Sequence, residues 1–290
     1  MRFRSILIVA GIVGLLAAAV GFGYWAGQGK GSSDSSAQVS QAVKSAPKST
    51  PQREKAAKEL LAAGEKSASS ERWKDARRLF LQVLQEYADT TAAVKAQERL
   101  GDVNIKLLFI PGPASDTPFY KAHKVQTGDT LGKLARRFHT TVTLLQRANR
   151  LQSDKILLGQ VLRVPTVKMS VIVDKSLNTL ALKADEEILK VYTISTGRGG
   201  NTPVGKFTIE TKVVDPPWYT AQGVIPSDSP KNVLGSRWLG FSETGYGIHG
   251  TVDPDSIGQP VTAGCVRMYN KDVEELYKIV PLKTEVTVVE

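Results

Sequence analysis

The spacing of apolar positions changes repeatedly along the chain, and each change predicts a different element. Residues 6–26 run apolar without a charge, from Ile6-Leu7-Ile8-Val9 to Tyr24-Trp25-Ala26. That is about the ~20 residues a helix needs to cross a ~30 Å hydrocarbon core. Arg2 and Arg4 predict an N-terminus held inside, and Tyr24-Trp25 suit the far interface. The alternative is a signal peptide cleaved near Ala17-Ala18-Ala19. The apolar run continues past those alanines, which favours an uncleaved anchor over residues 1–26. Either way the remainder lies outside the cytoplasmic membrane. Residues 27–50, rich in Gly, Ser, Gln and Lys, have linker composition. As a flexible coil they span roughly 27 Å, and about 80 Å if pulled straight.

Residues 51–109 switch to a helical period. Ala76, Leu79, Phe80, Val83, Leu84 and Tyr87 form an amphipathic stripe. Ala56, Leu60 and Ala63 before it, and Val94, Leu100, Val103 and Leu107 after it, suggest flanking helices. Pro111, Gly112, Pro113 and Pro118 then break the chain. Over residues 122–166, His123-Lys124-Val125 reads as a short strand. Thr127-Gly128-Asp129-Thr130 is a turn opening a helix, with Asp129 or Thr130 as N-cap. Thr140-Thr141 can cap a second helix, and Val161-Leu162-Arg163-Val164-Pro165 is a closing strand. From residue 168 the pattern becomes β-branched runs divided by turn residues: Ser170–Val173, Thr179–Leu182, Leu189–Ile194, Lys206–Glu210 and Thr284–Val289. Asp272–Tyr277 is the main helix of this part, with Asn270 as its expected N-cap. Residues 213–238, rich in Pro, Gly and aromatics, read as a long loop.

Composition narrows the classes. A net charge of +10 points to an anionic partner. The export signal argues against nucleic acid. A single cysteine in 290 residues excludes an intramolecular disulfide, so stability must come from ordinary cores. No His/Cys/carboxylate cluster has metal-ligand spacing and there is no phosphate loop, so neither a metal nor a cofactor is expected.

That cysteine, Cys265, is the most informative residue. His249, sixteen positions upstream and framed by glycines, is the partner a thiol nucleophile needs: it takes the proton, and the imidazolium then holds the thiolate. Gly264 allows close approach of a reacting carbonyl, and the N–H groups around Gly264 and Cys265 could form an oxyanion hole. The stretch His249-Gly250-Thr251, Asp253-Pro254, Ser256-Ile257-Gly258, Gly264-Cys265-Val266-Arg267-Met268, Asn270 and Asp272-Val273 resembles the L,D-transpeptidase catalytic domain, the YkuD-like family. Gly197, Thr202–Phe207, Asn232–Gly235 and Arg237–Gly240 fit the same family in the same order. Many members carry a second histidine before the Gly-Cys pair, where this chain has Ala263, so His249 is the only credible general base.

The resemblance implies a mostly β sandwich over residues 168–290 and acyl transfer in peptidoglycan. The Cys265 thiolate would attack the carbonyl of stem residue 3, D-alanine would leave, and the acyl group would pass to an amine. Water, a free D-amino acid or a protein lysine are alternative acceptors. The Gly250 carbonyl would orient His249. Arg267, Tyr246, Trp218, Tyr219 and Trp238 are the expected substrate contacts, with the 213–238 loop as a lid; a structural ion pair is the other reading of Arg267, and an ordinary packed loop that of the lid.

The Gly-Asp-Thr-Leu turn at Gly128–Leu131, Asn149, and the ending Leu158-Gly159-Gln160-Val161-Leu162-Arg163-Val164-Pro165 resemble a LysM domain. Such modules bind N-acetylglucosamine-containing glycans. The implied contacts are Thr127, Gly128, Asp129, Thr130, Leu158 and Gly159. The Ala76…Phe80…Val83 pattern resembles half of a tetratricopeptide repeat, so residues 51–109 are either a docking surface for an envelope protein or a helical spacer. The expected architecture is multidomain: membrane anchor, linker, short α-helical segment, βααβ LysM module and mostly-β catalytic sandwich, located in the cell envelope. A catalytically dead wall tether is the competing class.

Overall fold

The computed structural model of the protein describes residues 49–111 and 119–290. The expected anchor and nearly all of the 27–50 linker lie outside them. Among the described residues no helix is long and apolar enough to cross a membrane. The chain divides after Asn104 into two compact units.

The first unit holds helices α1 (Pro51–Ser69), α2 (Trp73–Glu86) and the greater part of α3 (Thr91–Phe109). Thr50 caps α1 by accepting from the Arg53 N–H, and Pro51 occupies a first-turn position where its missing N–H costs nothing. The buried face of α1 is Ala57, Gly64 and Ser67, with Ala63 exposed, so the face differs from the expected Ala56/Ala63 stripe. Phe80 explains the rotation. A Cβ on Gly64 would lie 2.4 Å from its ring, so α1 turns its one bare backbone position toward the largest buried side chain of α2. Arg53 ties the ends of the hairpin together, reaching Asp89 Oδ1 and the Glu86 carbonyl at 2.7 Å each.

In the second unit, β1 (Tyr120–Lys124), α4 (Leu131–Arg137), α5 (Val142–Ala148) and β2 (Val161–Pro165) form the βααβ module, with β1 and β2 antiparallel. Thr130 and Thr141 are the N-caps. Val125, Leu131, Leu134, Leu145, Leu162 and Val164 make a small core. Leu144 and Ala148 instead join the large core of the following domain, and Thr141 Oγ1 donates to the Lys278 carbonyl at 2.5 Å.

The strands that follow are β3 (Met169–Asp174), β4 (Thr179–Ala184), β5 (Glu187–Thr193), β6 (Thr196–Gly197), β7 (Gly205–Val214), β8 (Trp218–Thr220), β9 (Gly223–Ile225), β10 (Arg237–Phe241), β11 (Gly247–His249), β12 (Pro260–Thr262) and β13 (Val266–Arg267). Helix α6 (Asn270–Ile279) and β14 (Glu285–Val289) complete the chain. Eight strands join in the order β13-β11-β10-β7-β14-β3-β4-β5. Two groups of strands, β13-β11-β10 and β14-β3-β4-β5, are joined through β7 in the β-rich domain expected from residue 168 onward. The reason is the length of β7: residues 205–208 pair with β14, and residues 209–214 pair with β10. Val273, Leu276 and Ile279 of α6 pack on this sheet, and the core residues Leu239, Ile248, Val266 and Met268 bury the strands that carry the site.

Residues 213–238 are not one loop. They contain the β8–β9 hairpin, turned at Gly223 (φ +128°), and its base is closed by Asn232 Nδ2, which donates to the carbonyls of Pro216 (2.9 Å) and Pro226 (3.1 Å). Asn270 is not the cap of α6 either. Tyr269 holds that position without a side-chain bond, and Asn270 is the first helical residue.

Candidate active site

β11 and β13 run parallel at the edge of the sheet, with Ile248 opposite Val266 and His249 opposite Arg267. Side chains alternate faces along a strand. Ile248 and Val266 point into the core, so His249 and Arg267 leave from the other face. Cys265 is the residue immediately before β13, in the bend that leads into the strand paired with that of His249. The parallel pairing of β11 with β13 thus sets the segments carrying these two residues, sixteen apart in the chain, side by side.

His249 is 3% exposed. Its Nδ1 lies 2.7 Å from the Gly250 carbonyl. A carbonyl only accepts, so Nδ1 carries the proton and Nε2 is the basic nitrogen. Burial pushes the imidazole down to about 4; the Arg267 charge adds to this, and the Gly250 and Leu234 carbonyls oppose it. The half-buried Cys265 thiol is pushed above its ordinary value by burial, against the opposing pull of the Gly247 N–H and of Arg267. Its Sγ lies 3.4 Å from the Gly245 carbonyl. The resting pair at neutral pH is thus thiol and neutral imidazole. Burial disfavours both charges, so the ion pair belongs to the reaction step rather than to the resting site.

Gly264 departs from its expected role. Its N–H donates to Thr262 Oγ1 (3.2 Å), which itself donates to the Cys265 carbonyl (2.7 Å). That N–H is occupied and cannot face an oxyanion. The Cys265 N–H has no acceptor among the described residues, which leaves it as the donor at the nucleophile. Gly264 serves geometry instead: at φ +152°, a Cβ there would meet the Tyr246 ring at 2.7 Å. Tyr246 is accordingly a packing wall behind the nucleophile turn, partly buried against the core.

Trp238 is not on a lid. It lies in β10 opposite His249, its ring stacked on the imidazole with centroids 6.1 Å apart and planes at 22°. Gly240 and Gly247 make room for it; a Cβ on either would come within 2.8 Å of the indole. Trp218 and Tyr219 sit on the β8–β9 hairpin, Tyr219 74% exposed, and among the described residues no hydrogen bond, ion pair or ring contact joins them to Cys265 or His249. Arg267 Nη1 donates to Ser256 Oγ (2.9 Å) and lies 3.9 Å from Asp253, while its buried Nε has no partner among the described residues. Asn270, expected only as a cap, links the backbone on both sides of the site. Its Oδ1 accepts from the N–H groups of Ser236 (3.2 Å) and Thr251 (3.0 Å), and its Nδ2 donates to the Thr251 carbonyl (2.8 Å).

The βααβ module divides its candidate residues differently. Thr127, Leu158 and Gly159, with Lys124, Val125 and Gln126, line an open groove of about 460 Å³. Leu158 is 74% exposed. Asp129 is turned inward: its carboxylate accepts from the Gln126 N–H (2.9 Å) and meets His123 Nε2 (2.8 Å), and these bonds hold it below the usual carboxylate range. Thr130 Oγ1 is used as the cap of α4, and the Gly128 carbonyl accepts from Lys133 Nζ (2.8 Å). Asp129 and Thr130 thus spend these atoms on closing the turn and capping α4. Among the described residues no three His, Cys, Asp or Glu side chains are close enough to hold a metal ion.

Comparison with known proteins agrees with this architecture. The family model of the L,D-transpeptidase catalytic domain, YkuD, matches residues 168–288, and that of the LysM domain matches residues 123–165. A Bacillus subtilis (strain 168) protein named for an L,D-transpeptidase, YkuD, is 34% identical over 173 residues, covering 57% of this chain and 97% of its own. A second, YqjB, is 40% identical over 124 residues, covering 41% and 69%. The solved catalytic domain of an E. faecium L,D-transpeptidase aligns with a TM-score of 0.35 and 22% identity, over 42% of this chain and 97% of that one. Matched over nearly the whole of a relative at more than a third identity, and carrying a LysM module ahead of its catalytic domain, the chain belongs to the YkuD family of L,D-transpeptidases.

Proposed function

We propose that this protein is a cell-wall L,D-transpeptidase in which Cys265 is the nucleophile and His249 the general acid and base. The observation that carries the reading is a neutral imidazole, its Nδ1–H held by the Gly250 carbonyl, on the strand beside that of the only cysteine. His249 Nε2 takes the thiol proton as Sγ bonds to the carbonyl carbon of stem residue 3. The C–N bond to D-alanine breaks, and the proton goes to the departing amine. A thioester remains. An acceptor amine attacks the same carbon, its proton passes to His249 and then to the sulfur, and the C–S bond breaks. The Cys265 N–H faces the developing oxyanion. Family membership supports an amine acceptor on a second stem.

The LysM module holds glycan through the groove at Thr127, Leu158 and Gly159. The β8–β9 hairpin, with Trp218 and the exposed Tyr219, covers the bound stem. The apolar run at 1–26 ties the chain to the membrane, and residues 51–109 offer helical surface to an envelope protein.

The test is mass spectrometry of disaccharide-tetrapeptide incubated with the full chain, beside Cys265→Ala. A dimer lacking one D-alanine, formed only with Cys265 present, is the expected product. Cys-dependent tripeptide without dimer would make the protein a carboxypeptidase. Identical products from both proteins would leave a wall tether.

A further inference from the structure

On its donor side, Nδ1–H, His249 is held by a backbone carbonyl, so something must hold that backbone. The relevant atoms are the Gly250 and Leu234 carbonyls, which pull the imidazole toward greater basicity. They belong to two segments without regular structure, at the ends of β11 and before β10. Both are reached by one side chain. Asn270 Oδ1 accepts from Thr251, the residue after Gly250, and from Ser236, two residues after Leu234; its Nδ2 returns to the Thr251 carbonyl. Three backbone bonds from one amide use both acceptor directions of its oxygen and one of its two N–H donors. Gly235 and Gly250 fit the same purpose. A Cβ on Gly235 would lie 2.3 Å from Asn270 Oδ1, and one on Gly250 2.1 Å, so both are bare where the amide enters. Gly235 is also left-handed at φ +64°.

We infer that Asn270 is the positioning residue of the catalytic base: it clamps the 234–236 and 250–251 segments so that the Gly250 carbonyl fixes the Nδ1–H tautomer of His249. The kinetic half of this inference rests on the proposed role of His249; the structural half does not. An amide at this place also avoids a charge. A carboxylate would still accept from Ser236 and Thr251, would lose the bond to the Thr251 carbonyl, and would set a negative charge beside a buried imidazole.

The experiment reads His249 directly. The chain has three histidines, so ¹⁵N-histidine NMR of the full chain is assignable with His249→Gln as reference. The clamp predicts a single Nδ1–H tautomer in the unaltered protein, a tautomer mixture in Asn270→Ala, and a His249 titration moved up from about 4 in Asn270→Asp. In turnover of disaccharide-tetrapeptide, Asn270→Ala is expected to lower kcat about 100-fold with KM nearly constant, as a displaced catalytic group does. Asn270→Asp is expected to keep part of that rate, with its acid limb moved up in pH. Unchanged His249 signals in both variants would overturn the inference and make Asn270 a fold residue only. If Asn270→Ala does not fold, Asn270→Asp decides alone through its titration. Loss of the NMR signature without any wild-type turnover would sustain the clamp and sink the transpeptidase reading instead.

Discussion

The catalytic edge and the LysM groove are built from similar materials, short motifs of polar residues at turns, yet they use them in opposite ways. At the edge, the motif's reactive groups are spared. His249 and Cys265 take no part in capping or turn closure, and their supports come from backbone and from Thr262, Asn270 and Trp238. In the module, the motif's polar groups are consumed: Asp129 closes its own turn and Thr130 caps α4. What remains for a ligand there is exposed and largely apolar, led by Leu158. The difference follows from size. A small module buries little apolar surface and leans on its polar side chains for stability, whereas an eight-stranded sheet with a packed helix can leave reactive groups unspent.

The largest test of this contrast is Cys265→Ser. The near-isosteric change should remove at least about 1,000-fold of transfer and leave the thermal transition where it was. Turnover within tenfold of wild type would show that the thiol was never spared for chemistry.

The second concerns the buried base. His249 has a folded-state value of about 4 against an ordinary 6.5. As pH falls, the unfolded chain takes up a proton first, so stability drops between about 6.5 and about 4 and stays lower beneath that. The full loss is about 3 kcal/mol from this one group. His249→Gln should flatten that part of the stability–pH curve in denaturant titrations, and an equally steep curve in the variant would place the dependence elsewhere. Activity of the unaltered enzyme should persist toward pH 4 before protonation removes the base.

Two smaller effects separate structure from recognition in the module. Asp129→Ala should lower the melting of the module and weaken pelleting with insoluble peptidoglycan only as far as it unfolds. Leu158→Asp should reduce pelleting several-fold with a stability change within about 0.5 kcal/mol, as at other exposed positions. Reversal of these two results would return Asp129 to the ligand and Leu158 to the fold. In the helical unit, Gly64→Ala forces a Cβ onto Phe80 and should cost about 1–3 kcal/mol of its stability.

Local physics was readable along the chain because it depends on neighbours in sequence. The five long strands, the Thr130 and Thr141 caps and the βααβ module all follow from period and capping chemistry. What the chain alone left open depends on which segments meet. Nothing in the composition of β7 announces that its two ends serve different neighbours, β14 and β10. The 213–238 segment read as a loop because its strands are three residues long, too short for a period. Gly264 looked like an oxyanion donor until Thr262 claimed its N–H, and Asn270 looked like a helix cap until it reached Ser236, 34 residues away. Hydrogen-bond partners and burial set both the neutral resting state of the thiol and imidazole and the orientation of the base. Both are properties of the packed interior, where desolvation and a few long-range bonds outweigh anything a residue carries by itself.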